Sequence, residues 1–167
     1  LLDLMRRVRC FGINLARLDI RQEADRHSKL LNELFKKKYN IKYNLLSEKE
    51  KIKLLNKLIK EKKYFVDRIK ITNKENKEVW NTFKQISKTP NECLGAYVIS
   101  MTSTASDILS VYFLQIQAKI KNFLRVVPLF ETLDDLKNAN SVMKNLFKLS
   151  WYRKMANANQ EVMIGYS

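Results

Sequence analysis

The sequence predicts an α/β fold, a helix-rich partial (β/α)8 TIM-type barrel with about four parallel strands, helical crossovers and a helical insertion. Three observations predict it. Short apolar runs rich in β-forming residues recur at Ile13 to Ile20, Ala96 to Met101, Phe123 to Phe130 and Val162 to Tyr166. The first three are each followed at once by apolar residues at helical spacing, and strand–helix alternation implies parallel strands joined by crossovers. The runs are nearly continuous rather than alternating, as strands buried on both faces are.

The elements can be justified in order. After Arg21, His27, Leu30, Leu31, Leu34 and Phe35 recur three and four apart, which puts them on one helix face. A basic excursion then occupies residues 40–90 and holds about two extra helices. In it Ser47 and Glu50 form a capping box, with Leu46 placed as a hydrophobic staple before Ile52, Leu55, Leu58 and Ile59. A second helix from Lys74 to Ser87 would bury Val79, Trp80, Phe83 and Ile86, until Pro90-Asn91 breaks it. After the second strand, Ile108, Leu109, Tyr112, Phe113 and Ile116 mark a helix. After the third, Thr132 caps a helix whose stripe is Leu136, Ala139, Val142, Met143, Leu146 and Phe147, and Asp135 favours its positive end. A short helix from Trp151 to Met155 leads into the fourth strand.

A barrel is preferred to a doubly wound sheet. No glycine-rich phosphate loop follows any strand, and the chain has only three glycines. Four strands cannot close an eight-stranded ring. Residues 1–167 are therefore expected to be part of a single barrel domain of a larger enzyme. The opening Leu1-Leu2 and the apolar close at Val162 to Ser167 support the same expectation.

Composition narrows the function classes. Hydrophobic residues make up 46% of the chain, enough for a core. The net charge of +15 is concentrated in residues 29–88, which carry 18 Lys/Arg against 7 Asp/Glu. These cations are mostly lysines, mobile point charges unlike the arginine forks that dominate specific base and phosphate recognition. A solvated lysine-rich surface is the preferred reading. A basic helical module for nucleic acid or an anionic surface is the alternative. Neither a nucleic-acid nor a membrane partner is expected, since no apolar run approaches the roughly 18 residues of a membrane span. Cys10, Cys93 and a lone His27 supply neither a zinc site nor a disulfide framework, so a reducing compartment is expected.

In such barrels chemistry sits just past the C-terminal ends of the strands. Those positions are Asp19 to Glu23, Ser100 to Ser103, Pro128 to Thr132 and Gly165 to Ser167. Arg21 offers a planar fork of donors for phosphate or carboxylate, or else an ion pair with Glu23 or Glu131. Glu131 suits a hard divalent cation, or else the positive end of the following helix. Asp134 and Asp135 read as helix-start charges. Ser100, Thr102 and Ser103 have no Asp/His relay and read as helix starters. His27, Trp80, Trp151 and Tyr112 read as packed residues.

The same stretches carry a resemblance. Arg17-Leu18-Asp19-Ile20-Arg21-Gln22-Glu23 with Arg26-His27, then Ala96-Tyr97-Val98-Ile99-Ser100-Met101, then Pro128 to Leu136, then Met163-Ile164-Gly165-Tyr166-Ser167 resemble, in order, the motifs of phosphoenolpyruvate carboxylases. Ala24 stands where the family usually has Ser. The resemblance implies a cytoplasmic homotetramer that joins phosphoenolpyruvate to bicarbonate. The products are oxaloacetate and inorganic phosphate, an anaplerotic supply to the tricarboxylic acid cycle. Bicarbonate would attack the phosphoryl group, giving carboxyphosphate and the enolate of pyruvate. By this resemblance Arg21 matches a catalytic, substrate-binding arginine near the phosphate. Glu131 matches one of two carboxylates that hold Mg2+ or Mn2+. The second carboxylate and a lysine would follow Ser167, so the isolated chain is expected to be inactive and, with exposed strand edges, unstable.

Overall fold

Each apolar run yields a strand, and the four strands lie parallel in one sheet in the order β1-β2-β3-β4. The computed structural model describes residues 1–12, 16–156 and 159–165. Their order is α1 (Leu2–Phe11), β1 (Leu18–Glu23), α2 (Ala24–Tyr39), α3 (Glu48–Glu61), α4 (Lys74–Ile86), β2 (Leu94–Ser100), α5 (Ala105–Gln117), β3 (Arg125–Phe130), α6 (Leu133–Phe147), α7 (Ser150–Ala156) and β4 (Met163–Ile164). A helix-rich α/β sheet of this topology is consistent with part of a barrel.

Two boundaries differ from expectation. β1 starts at Leu18 and runs through the polar residues Arg21, Gln22 and Glu23. The backbone ladder sets this span: Arg21 pairs with Val98, Gln22 with Ile99 and Glu23 with Ser100. Side-chain polarity is tolerated because no residue of this strand is buried. The earlier part of the expected run, Ile13 to Leu15, lies outside the described residues, as do Tyr166 and Ser167 beyond β4. Helix α1 was not expected, although Leu4, Val8 and Phe11 have helical spacing. All three are exposed, so no packing against the described residues fixes it.

The core lies between the sheet and its covering helices, and α5 is its centre. Every residue of α5 is buried. A helix apolar all round is what a fully enclosed position demands. Its two glutamines are satisfied by backbone. Gln115 accepts from Leu124 N at 2.7 Å and donates to Leu124 O at 3.2 Å. Gln117 accepts from Phe65 N at 2.9 Å and donates to Lys63 O at 2.7 Å. Phe113 of α5 meets Phe35 at 5.5 Å and Phe65 at 5.9 Å between ring centroids, joining α2 to the insertion.

The insertion packs as its stripes require. Leu55, Leu58 and Ile59 of α3 are buried, as are Val79, Trp80, Phe83 and Ile86 of α4. Ser47 and Glu50 make the expected capping box. Lys49, Lys53, Lys57, Lys60, Lys62, Lys63, Lys70, Lys74 and Lys77 are exposed, the arrangement of a solvated face.

His27 belongs to this core. It is fully buried, its Nε2 lies 2.7 Å from Tyr97 Oη, and Phe83 meets its ring at the edge. Burial, with Arg26 nearby, pulls its pKa from 6.5 to about 3. The unfolded chain binds a proton near pH 6.5 that the folded chain takes up only near pH 3. The stability from neutral His27 is therefore complete above pH 6.5. Below that it falls by about 1.4 kcal/mol per pH unit. His27→Gln lacks this component. Urea titrations should show the stability difference between the two proteins narrowing by about 2 kcal/mol from pH 6.5 to 5. A pH-independent difference would contradict the assignment.

Candidate active site

Alternation along the strands divides the sheet into two faces. Tyr97, Ile99, Val126 and Phe130 face the helices and join the main core. Ala96, Val98, Val127 and Leu129 form a separate small cluster on the opposite face, the one a closed barrel would enclose. Arg21 and Glu131 fall on this second face by the same alternation. Arg21 is in register with Val98, and Val98 with Val127. Glu131 lies four residues beyond Val127, just past the end of β3. The long arginine side chain spans the offset toward the strand ends.

The two candidate residues meet. Arg21 Nη2 donates to Glu131 Oε1 at 3.2 Å. The Arg21 side chain is 59% exposed and that of Glu131 24%. Of the two partners weighed for Arg21 in an ion pair, the structure has Glu131.

The other carboxylate oxygen is held by backbone. Met101 N donates to Glu131 Oε2 at 2.9 Å. Met101 sits in the left-handed region at φ 55°, an unfavourable conformation for a side chain of this kind. That turn aims its N–H across β2 toward β3. Thr102 then ties the turn down, donating its N–H to Leu129 O at 3.3 Å and its hydroxyl to Ile99 O at 2.8 Å. On the far side, Gly165 N donates to Phe130 O at 3.0 Å. A Cβ on Gly165 would lie 2.9 Å from Glu131 Cγ, so only glycine leaves Glu131 its present place.

The remaining candidates are structural. Thr132 and Asp135 cap α6 reciprocally, at 3.0 Å and 3.1 Å. Asp134 is exposed and pairs with Lys137 at 3.5 Å. Ser103 belongs to the start of α5, whose cap is Thr104 with Asp107. Trp80 and Tyr112 are buried, and Trp151 donates to Asn56 Oδ1 at 2.7 Å. Sequence reasoning missed Thr104 and Asp107, although their spacing is the one that revealed Thr132 and Asp135. It also missed the Met101 N–H, which no side-chain pattern announces.

These features define a class: a parallel α/β barrel segment that presents an arginine and a carboxylate together at the strand C-terminal ends. The sequence profile of the family "Phosphoenolpyruvate carboxylase" matches residues 1–167. The chain is 46% identical over 167 residues to phosphoenolpyruvate carboxylase of Enterobacter sp. (strain 638), covering all of this chain and 19% of the relative. It is 45% identical over 167 residues to that of Shewanella sediminis, covering 19% of the relative. It is 44% identical over 168 residues to that of Medicago sativa, covering 17% of the relative. The chain belongs to the phosphoenolpyruvate carboxylase family. It spans about a fifth of the length of these relatives.

The tight approach of Gly165 gives a direct check on the site. Gly165→Ala should push the Glu131 side chain away and break its bond to Arg21. A crystal structure of that variant with the 3.2 Å contact unchanged would show that the glycine is not required there.

Proposed function

We propose that this chain supplies one side of the active site of an enzyme that carboxylates phosphoenolpyruvate with bicarbonate, yielding oxaloacetate and inorganic phosphate. The carrying observation is the 3.2 Å contact between Arg21 and Glu131 at the C-terminal ends of β1 and β3. An exposed pair of this kind contributes about 0–1 kcal/mol. It can therefore open at little cost. Arg21 then turns its fork of donors to the phosphoryl oxygens of the substrate, and Glu131 is left to a cation. Each group holds the other's place until its ligand arrives.

The donor set fits Mg2+ or Mn2+ as far as it goes. Glu131 is a hard oxygen donor held by a backbone N–H, and such ions bind through one or two carboxylates plus substrate oxygens. Among the described residues no group of three or more His, Cys, Asp or Glu could hold a metal, so Glu131 would be one ligand of a shared site. A bound ion would supply charge stabilisation for a developing enolate oxygen. Met101 N–H orients the carboxylate. Arg21 neutralises and positions the phosphoryl oxygens. The apolar cluster of Val98, Val127 and Leu129 lines the enclosed face beneath them.

In this reading residues 1–167 are part of a single barrel domain of a larger enzyme, and 40–90 are a basic excursion from it. That parent is a cytoplasmic homotetramer that replenishes the tricarboxylic acid cycle.

A chimera tests the roles. Residues 1–167 replace the matching stretch of the Enterobacter relative, and oxaloacetate formation is measured with phosphoenolpyruvate and bicarbonate. Glu131→Gln and Arg21→Met should each lower kcat/KM by about 100-fold or more. Near-parent activity in either variant rejects that residue's role. The isolated chain, lacking the rest of the barrel, should form no oxaloacetate. Carboxylation by it alone would show that the remaining four-fifths is dispensable.

A further inference from the structure

The helical insertion reaches the first turn of α5, beside the strand ends, through Glu48. Glu48, the first residue of α3, accepts from Ser106 N at 2.9 Å with Oε1 and from Ser106 Oγ at 2.7 Å with Oε2. Ser106 is buried in the first turn of α5. One residue on, Asp107 Oδ2 accepts from Ser103 N at 3.1 Å and from Thr104 N at 2.9 Å. The N–H groups of Ser103, Thr104 and Ser106 are thus all held by two carboxylates, one from α5 itself and one from the insertion. The same segment begins with Met101, whose N–H holds Glu131 Oε2 at 2.9 Å.

The first turn of α5 is thus anchored from two separate parts of the chain. The helix already has its own capping box in Thr104 and Asp107. A reciprocal box satisfies two donors and leaves others of the first turn, Ser106 N among them, to a partner from elsewhere, here Glu48. Glu48 adds a second acidic clamp from a distant part of the chain, and burial pushes both carboxyls above their ordinary range. The backbone N–H groups and the positive end of α5 offset part of that burial cost for both acids. Met101, in the turn before α5, is strained, with φ at 55°. Strained backbone persists only where its surroundings over-determine it.

We propose that Glu48 is a positioning residue for the metal-binding carboxylate: by clamping the first turn of α5 it fixes the β2–α5 turn, whose Met101 N–H orients Glu131. This rests on the reading of Glu131 as a cation ligand given above. It assigns the insertion a part in the site that its lysine-rich surface does not suggest. Glu48 itself touches neither ligand nor Glu131. It acts through Ser106, Asp107 and the Met101 backbone.

The test uses the chimera and reads Mn2+ binding directly, by the electron paramagnetic resonance signal of free Mn2+ without substrate. Glu48→Ala should raise the Mn2+ Kd by about 10-fold, at the lower end of what supporting residues cost. Glu48→Gln retains an acceptor for Ser106 N and should restore Kd to within about 3-fold of the parent. Ser106→Ala removes only the hydroxyl half of the clamp and decides the matter should Glu48→Ala not fold; it should weaken Mn2+ by about 3-fold. Parent affinity in the folded Glu48→Ala chimera, or in Ser106→Ala if the former does not fold, overturns the proposal and leaves Glu48 a helix cap. Glu131→Gln is the reference. If it binds Mn2+ as the parent does, the assignment of Glu131 fails. If it loses Mn2+ while Glu48→Ala does not, Glu48 alone fails.

Discussion

The Glu131 carboxylate is gripped from two sides, by the guanidinium of β1 and by the backbone N–H that follows β2. That double grip joins three strand ends at one point. A carboxylate with one partner could rotate about its side-chain bonds. With one oxygen on Arg21 and the other on Met101 N, both oxygens are held until the weak arginine contact opens. Gly165 closes the third side, because any side chain there would collide with Glu131. The geometry of the site is thus carried by one acid, one arginine, a strained backbone turn and a glycine.

The scaffold behind this point is a single buried helix. α5 is enclosed along its whole length, by the sheet on one side and by α2, α3 and α6 on others. Its position is set at its far end by Gln115 and Gln117, which bond loop backbone, and at its near end by Glu48 and Asp107. A helix pinned at both ends holds the turn that precedes it. The chain of cause therefore runs from apolar burial, through helix placement, to the direction of one N–H bond. The lysine-rich helices contribute their inner stripes to the packing and leave their charges in solvent.

Much of the fold was legible because its signals are local. Apolar runs gave the strands, spacing of three and four gave α2 to α6, and Ser47-x-x-Glu50 and Thr132-x-x-Asp135 gave two helix starts. The end of β1 was not legible, because Arg21 to Glu23 are strand by virtue of pairing with β2 rather than by their own preference. Helix α1 escaped because its apolar face packs on nothing described, so spacing alone had to announce it. At the site, strand-end position singled out Arg21 and Glu131, but the sequence left open whether they meet. The Met101 N–H and the Glu48 clamp depend on backbone direction and on contacts across 58 residues of chain, which no local pattern encodes.

The sharpest measurement is a crystal structure of the chimera with Mg2+ and an unreactive analogue of phosphoenolpyruvate. The expected result places a Glu131 carboxylate oxygen about 2.1 Å from the metal and the Arg21 guanidinium about 2.8 Å from a phosphoryl oxygen, with their mutual contact opened. Metal and phosphate bound elsewhere, with Arg21 still on Glu131, would contradict the shared site.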